Sequence, residues 1–188
     1  MIRRAVYEWG STAAERELEL PCDSVLPDAD AVVHRAIDID APPATVFRWL
    51  CQLKVAPYSY DLIDNFGRRS PRELTPGAEH LERGQRVMTI FRLVDFETDR
   101  QITIQGHGAL ARGVAVTYSV TVPGESSRLL ARILVRRRGR PFAWLYAQAL
   151  PYLDLPMMRK QLLTLKELAE RDISASSRAR ALWTDCGT

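Results

Sequence analysis

Tyr58, Tyr60 and Asp61 stand within four positions of one another and carry the clearest chemical potential of this chain. A phenol beside a carboxylate orients a ligand hydroxyl or, with its proton suitably held, acts as a general acid. The same residues also suit a structural part, with two tyrosine rings packed beneath a loop and Asp61 capping the helix that follows. Spacing alone leaves both open.

The other reactive side chains are scattered. His34, His80 and His107 are the only histidines, and they form no HxH, HxxxH or Cys-rich cluster, so no metal site is expected. His107, between Gly106 and Gly108, sits at a predicted strand end that faces either solvent or a cavity mouth. Arg35, Arg92 and Arg132 fall within predicted strands, where an inward arginine needs a carboxylate or a ligand oxygen to offset its desolvation. Alternation puts Arg132 with Arg128, Leu130 and Leu134, opposite Leu129, Ala131, Ile133 and Val135, and does not decide which face is inward, so a solvent-facing arginine is the first expectation and a ligand contact the other. Gly-x-Ser-x-Gly and the glycine-rich phosphate loops are absent, which speaks against a serine nucleophile and nucleotide-dependent chemistry. Phe91, Phe96, Tyr118, Trp144, Tyr146, Met157 and Met158 could line an adaptable apolar cavity or serve as plain core.

Elements must position these groups. Thr12 and Glu15 have capping-box spacing and predict a short helix over 13–18, closed by Leu20-Pro21-Cys22-Asp23. From Val33 a period-two pattern predicts the first strand. Ala41-Pro42-Pro43-Ala44-Thr45 ends it and opens a helix with an apolar stripe of Val46, Phe47, Leu50 and Leu53. A second short helix is predicted over 60–66, with Gly67 as its C-terminal cap, then an irregular loop to Gly84. Strands follow over 86–97, 100–107, 114–122 and 127–136. In the third of these, Val114, Val116, Tyr118, Val120 and Val122 share one face. The last element spans about 142–171, with a break or kink expected at Pro151 and Pro156 and an uninterrupted helix from about Leu155.

A chain of 188 residues suits one domain with a real core. The expected division is an N-terminal arm over 1–30, the domain proper over 31–172 and a loose tail over 173–188. Hydrophobic residues make up 46% and charged residues 26%, ordinary globular values. A net charge of +3 is too diffuse for nucleic-acid binding, and the Arg136, Arg137, Arg138 and Arg140 run reads as a solvated turn. No segment has the length and apolarity of a membrane span or signal peptide, so a cytoplasmic protein without stable membrane insertion is expected. Cys22, Cys51 and Cys186 are expected as free thiols.

The strand His34–Asp40 running through Ala41-Pro42-Pro43 into Ala44–Leu50 resembles the opening of the START/polyketide-cyclase (SRPBCC, helix-grip) superfamily. Trp49-Leu50-Cys51-Gln52-Leu53, Pro57-Tyr58-Ser59-Tyr60-Asp61, Gly84 and the segment Leu162–Glu170 resemble its bacterial polyketide cyclase/dehydrase-like branch, over roughly Trp9 to Glu170. The resemblance implies an α+β helix-grip fold, in which a curved antiparallel sheet wraps a long C-terminal helix with two short helices after strand one. Its members range from lipid carriers to cyclases, so fold is informed more than function.

The expected function is binding of a hydrophobic, lipid- or polyketide-like small molecule in an internal cavity, without a cofactor. One alternative is a cyclase/aromatase-like enzyme working by positioning and acid/base groups. Another is a filled-core interaction module, and a homodimer is left open. The candidate ligand-contacting residues are Trp49, Tyr58, Tyr60, Asp61, Phe91, His107, Tyr118, Arg132, Trp144 and Met158.

Overall fold

The computed structural model describes residues 2–122, 126–136 and 143–185. Three short helices, α1 (Ile2–Tyr7), α2 (Ala13–Glu17) and α3 (Pro21–Val25), precede strand β1 (Ala31–Ile39). Helix α4 (Pro43–Cys51) runs into a 3-10 turn over Gln52–Lys54, followed by α5 (Asp61–Asp64). Strands β2 (Arg86–Val87), β3 (Phe91–Glu97) and β4 (Gln101–Gly106), the turn helix α6 (Gly108–Ala111), and strands β5 (Val114–Thr121) and β6 (Ser127–Val135) lead to helix α7 (Ala143–Asp185). The strands form one antiparallel sheet in the order β1-β6-β5-β4-β3-β2. This is the α+β helix-grip arrangement.

Alternation assigns the two sheet faces. Val33, Ile39, Val116, Tyr118, Val120, Leu129, Ala131 and Ile133 join the core shared with α4 and α7, where Leu162, Leu165, Leu168 and Ala169 are buried. The C-terminal half of α7 is latched as well as packed. Lys166 Nζ donates to Asp38 O (2.7 Å), Asp40 N to Glu170 Oε1 (2.8 Å), and Trp49 Nε1 to Asp172 Oδ2 (3.0 Å).

The opposite face is covered too, by the N-terminal arm. Leu20, Cys22 and Leu26 bury against Ala36, Ala115, Leu130 and Leu134. Thr12 and Glu15 make the reciprocal capping bonds expected of α2. Pro21, expected to end that helix, instead opens α3, since a proline suits a first helical position. Ala36 N donates to Trp9 O (3.0 Å), so the arm also blunts the free edge of β1. Gly10 is required there: at φ +74 a Cβ would stand 2.0 Å from Ala36 O.

Four further expectations are corrected. The strand over 86–97 is two, divided by a turn in which Met88 and Thr89 take φ 44 and 62. No glycine, asparagine or proline marks that turn, so no local signal foretells it. Of the break or kink expected at Pro151 and Pro156, the break does not occur, since α7 is continuous through both. Each proline removes one backbone donor, but the turns on the C-terminal side are fixed by burial of Met158, Leu162 and Leu165. Residues 173–185 are helical rather than loose. Alanines and arginines favour helix there, and no glycine or proline intervenes. Arg132 is neither solvent-facing nor on the α7 side. It is 4% exposed and points into the arm.

Arg132 and Arg128, four residues apart on β6, are the arm's anchors. Arg132 Nη1 donates to Asp23 Oδ2 (2.6 Å), Nη2 to the carbonyls of Arg16 (2.9 Å) and Glu15 (3.3 Å), and Nε to His34 Nε2 (3.2 Å). Arg128 bonds Glu15 (2.7 Å), Asp38 (3.1 Å) and Gly10 O (2.6 Å), and its guanidinium holds the Glu15 carboxyl down at about 2. Cys22 N donates to Thr117 Oγ1 (3.0 Å), which pairs with Thr103 Oγ1 (2.9 Å). Of the cysteines, Cys22 and Cys51 are buried free thiols, and Cys186 lies outside the described residues. Arg136 pairs with Asp28 at 3.8 Å, and the rest of its basic run also lies outside them.

Candidate functional site

Between the sheet and α7 lies a cavity of about 450 Å³. Strand residues Phe91, Val114, Val116, Tyr118 and Ile133 form one wall, and Leu150, Leu153, Asp154, Met157, Met158 and Gln161 of α7 form the other. The mouth is framed by Pro57, Ser59, Ile63, Asp64 and Phe66 around α5, and by Met88, Thr89 and Ile90 in the β2–β3 turn. Such a volume, largely apolar with a few polar groups, is typical of small-molecule sites.

Two polar arrangements interrupt the apolar wall. Tyr118, fully buried, donates its hydroxyl to Gln161 Oε1 (2.7 Å), and Gln161 Nε2 donates to Pro57 O (2.6 Å) and lies 3.3 Å from Met88 Sδ. Burial pushes the Tyr118 phenol well above its ordinary range, so it stays a donor. This chain of bonds ties β5 and α7 to the Pro57 loop and the β2–β3 turn at the mouth.

The second arrangement is the Arg35–Asp154 ion pair at 3.2 Å. Arg35 is 0% exposed and also donates to His34 O (3.0 Å) and Pro151 O (3.3 Å). An inward arginine on β1 thus finds the carboxylate it requires on α7. Burial raises the Asp154 carboxyl to about 6 even though Arg35 pulls it down. A carboxyl that titrates near neutrality on a cavity wall is equipped to accept or release a proton.

Of the ten residues singled out from sequence, Phe91, Tyr118 and Met158 line the cavity. Trp49 does not. It is buried between α4 and α7, with its indole N–H spent on Asp172. Tyr58 packs edge-on against Trp49 (centroids 6.0 Å apart, planes at 84°) rather than facing the cavity. Its φ of 56 turns the chain at this point, and burial pushes its phenol up to about 12. Asp61 accepts from Ser70 N (2.9 Å) and Ser70 Oγ (2.5 Å), and Ser70 Oγ accepts from Tyr58 N (3.2 Å). The Tyr58–Asp61 motif is therefore a latch that shapes the mouth. Tyr60, half exposed, precedes α5, and its carbonyl accepts from the Ile63 and Asp64 amides.

His107 caps α6 outside the lining, its N donating to Ile90 O (2.9 Å). Arg132 sits on the opposite sheet face, and Trp144 belongs to α7 with its side chain outside the described part. Sequence reasoning did not select Ser59, Asp64, Asp154 or Gln161. For two of these a signal existed: Asp154 and Gln161 fall at helical spacing on the stripe of Met158, Leu162 and Leu165, where a polar residue must face either core or cavity.

The rim is unusually apolar for an exposed surface. Leu62 is 83% and Phe66 80% exposed, and Ile63, Ile90, Tyr152 and Leu153 are exposed beside them. Apolar surface contiguous with a cavity mouth marks an entrance or contact site. Among the described residues no group of His, Cys, Asp and Glu could hold a metal ion, and no helix is long and apolar enough to cross a membrane.

No protein-family model matches the sequence, and comparison with curated proteins likewise gives no match. Among solved structures, the chain is similar to a hypothetical protein from Helicobacter pylori, with a TM-score of 0.53, 15% identity, and coverage of 81% of this chain and 95% of that one. It is also similar to the di-domain ARO/CYC StfQ from the steffimycin biosynthetic pathway, with a TM-score of 0.50, 13% identity, and coverage of 81% of this chain and 54% of that one. At these identities the likeness shows the fold alone, an antiparallel sheet gripping a long C-terminal helix.

Proposed function

We propose that this protein binds a hydrophobic small molecule in the cavity between its sheet and α7. The observation that carries the reading is the cavity of about 450 Å³, walled by valine, isoleucine, leucine, methionine and phenylalanine side chains and entered through an apolar rim. Affinity would come from the walls, and orientation from Asp64, Asp154 and the Tyr118–Gln161 pair. Titration with a neutral environment-sensitive dye such as Nile red tests it. Saturable, blue-shifted emission is expected, and a linear response up to protein excess refutes it.

A second reading, catalysis of the kind that the ARO/CYC designation of StfQ ascribes to that protein, is favoured by one observation. Asp154, with its carboxyl raised to about 6, stands on the cavity wall where a general base or acid would act. Incubation with a cyclisable poly-ketone distinguishes the two, since a carrier leaves product ratios unchanged. The interior is not filled, so a solid-core interaction module has no support from the geometry.

A further inference from the structure

The hydrogen-bonding capacity of the cavity wall is lopsided: among the described lining residues most donors are spent, whereas a buried carboxylate oxygen is not. Tyr118 gives its proton to Gln161 Oε1 (2.7 Å), and the Gln161 amide gives one to Pro57 O (2.6 Å) and approaches Met88 Sδ (3.3 Å). The Ser59 hydroxyl is donated to Asp64 Oδ2. Arg35 reaches Asp154 Oδ2 from behind (3.2 Å) and bonds the carbonyls of His34 and Pro151, while its Nε, buried without a partner among the described residues, belongs to a residue outside the lining. In contrast, Asp64 Oδ1 is buried and has no hydrogen-bond partner among the described residues. Among those residues, Thr89 carries the lining hydroxyl left to turn either way.

Charge points the same way. Two carboxylates, Asp64 and Asp154, line the cavity, and none of the described lining residues is basic. Arg35 offsets Asp154, so Asp64 is the uncompensated one. A buried acceptor without a donor is costly, and an ionised one more so. A ligand carboxylate would add a third negative charge in a medium of low dielectric. A ligand hydroxyl would supply one donor, whereas an ammonium supplies three and the opposite charge.

We infer that the ligand is an apolar amine, its protonated nitrogen seated against Asp64 at the mouth and its hydrocarbon body against Val116, Ile133, Leu150 and Met158. This rests on the binding reading above and deepens it to a ligand class. The test is displacement of Nile red from the full chain by three probes sharing one body: 1-naphthylmethylamine, 1-naphthalenemethanol and 1-naphthoic acid. The amine is expected to displace the dye with roughly tenfold or greater advantage over the alcohol, and the acid should be weakest. Equal displacement by amine and alcohol, tightest binding by the acid, or no displacement by the amine overturns the inference while leaving hydrophobic binding standing. Failure of Nile red itself to bind defeats the underlying reading instead.

Asp64→Asn, which keeps an oxygen to accept from Ser59, assigns the position. With displacement read against the variant's own Nile red affinity, the preference for amine over alcohol should disappear. A preference retained in Asp64→Asn overturns the placement of the head group.

Discussion

Acidification should loosen the N-terminal arm through one residue, His34. Its ring is 6% exposed, its Nε2 accepts from Arg132 Nε at 3.2 Å, and the charges facing it are Arg132, Arg16, Glu8 and Asp23. Burial first, then Arg132, lowers its folded pKa from 6.5 to about 4. The unfolded chain therefore binds a proton between those values that the folded chain refuses. Stability from this group is complete above 6.5 and is lost as pH falls through the window. At about pH 4.5 the loss is on the order of 2–3 kcal/mol.

Asp154 works in the opposite sense, since a folded pKa of about 6 makes the folded chain bind the extra proton over part of the same range. The wild-type profile alone thus conflates the two. His34→Gln keeps an acceptor near Arg132 and removes the titration. Urea unfolding of both proteins at neutral pH and at about pH 4.5 gives a difference of differences in which Asp154 cancels. Wild type should lose roughly 2–3 kcal/mol more than His34→Gln. Identical pH slopes would refute the assignment.

Three other outcomes follow from the site. Val116→Phe or Ile133→Phe places a ring in the void, so Nile red affinity should fall at least roughly tenfold while the near-ultraviolet circular dichroism stays folded; full binding would mean that dye sits elsewhere. Tyr118→Phe leaves Gln161 Oε1 without its donor and should cost about 1–3 kcal/mol in urea unfolding. Asp154→Leu alone strands the Arg35 guanidinium and should cost about 3–5 kcal/mol, whereas the double variant Arg35→Met/Asp154→Leu should recover most of it.

The sequence made the scaffold legible because its signals are local. The capping box at Thr12 and Glu15, the Pro42-Pro43 helix start, Gly67 closing α5 with its N–H on Asp61 O (2.8 Å), and the alternation of β5 each depend on residues a few positions apart. Phe91, Tyr118 and Met158 reach the cavity because period-two and helical patterns place them on inward faces. What was not legible depends on partners distant in sequence. Arg132 lies at an alternating position that fits either face, and only the arm, more than a hundred residues earlier, decides which. Tyr58 and Asp61 look like chemistry in isolation, but Ser70 takes the Asp61 carboxylate and the Tyr58 ring packs on Trp49. Asp154 is obscured by Pro151 and Pro156, whose expected break or kink interrupts the stripe that exposes it as a polar residue among apolar ones.

The arm matters to the cavity even though none of its described residues lines it. Where the front face of the sheet borders the void it draws less rigidity from that side, because missing neighbours forfeit packing attraction. The compensating layer is at the back, where Leu20, Cys22 and Leu26 pack on Ala115, Leu130 and Leu134 and two arginines of β6 fasten the arm. Removing residues 1–30 would bare that apolar surface and leave Arg128 and Arg132 without Glu15 and Asp23. Expression of 31–188 should therefore give a chain lacking cooperative unfolding and dye binding, although every lining residue is retained. A truncated chain that melts cooperatively and binds Nile red as tightly as the full one would show that the front of the sheet sustains the void unaided.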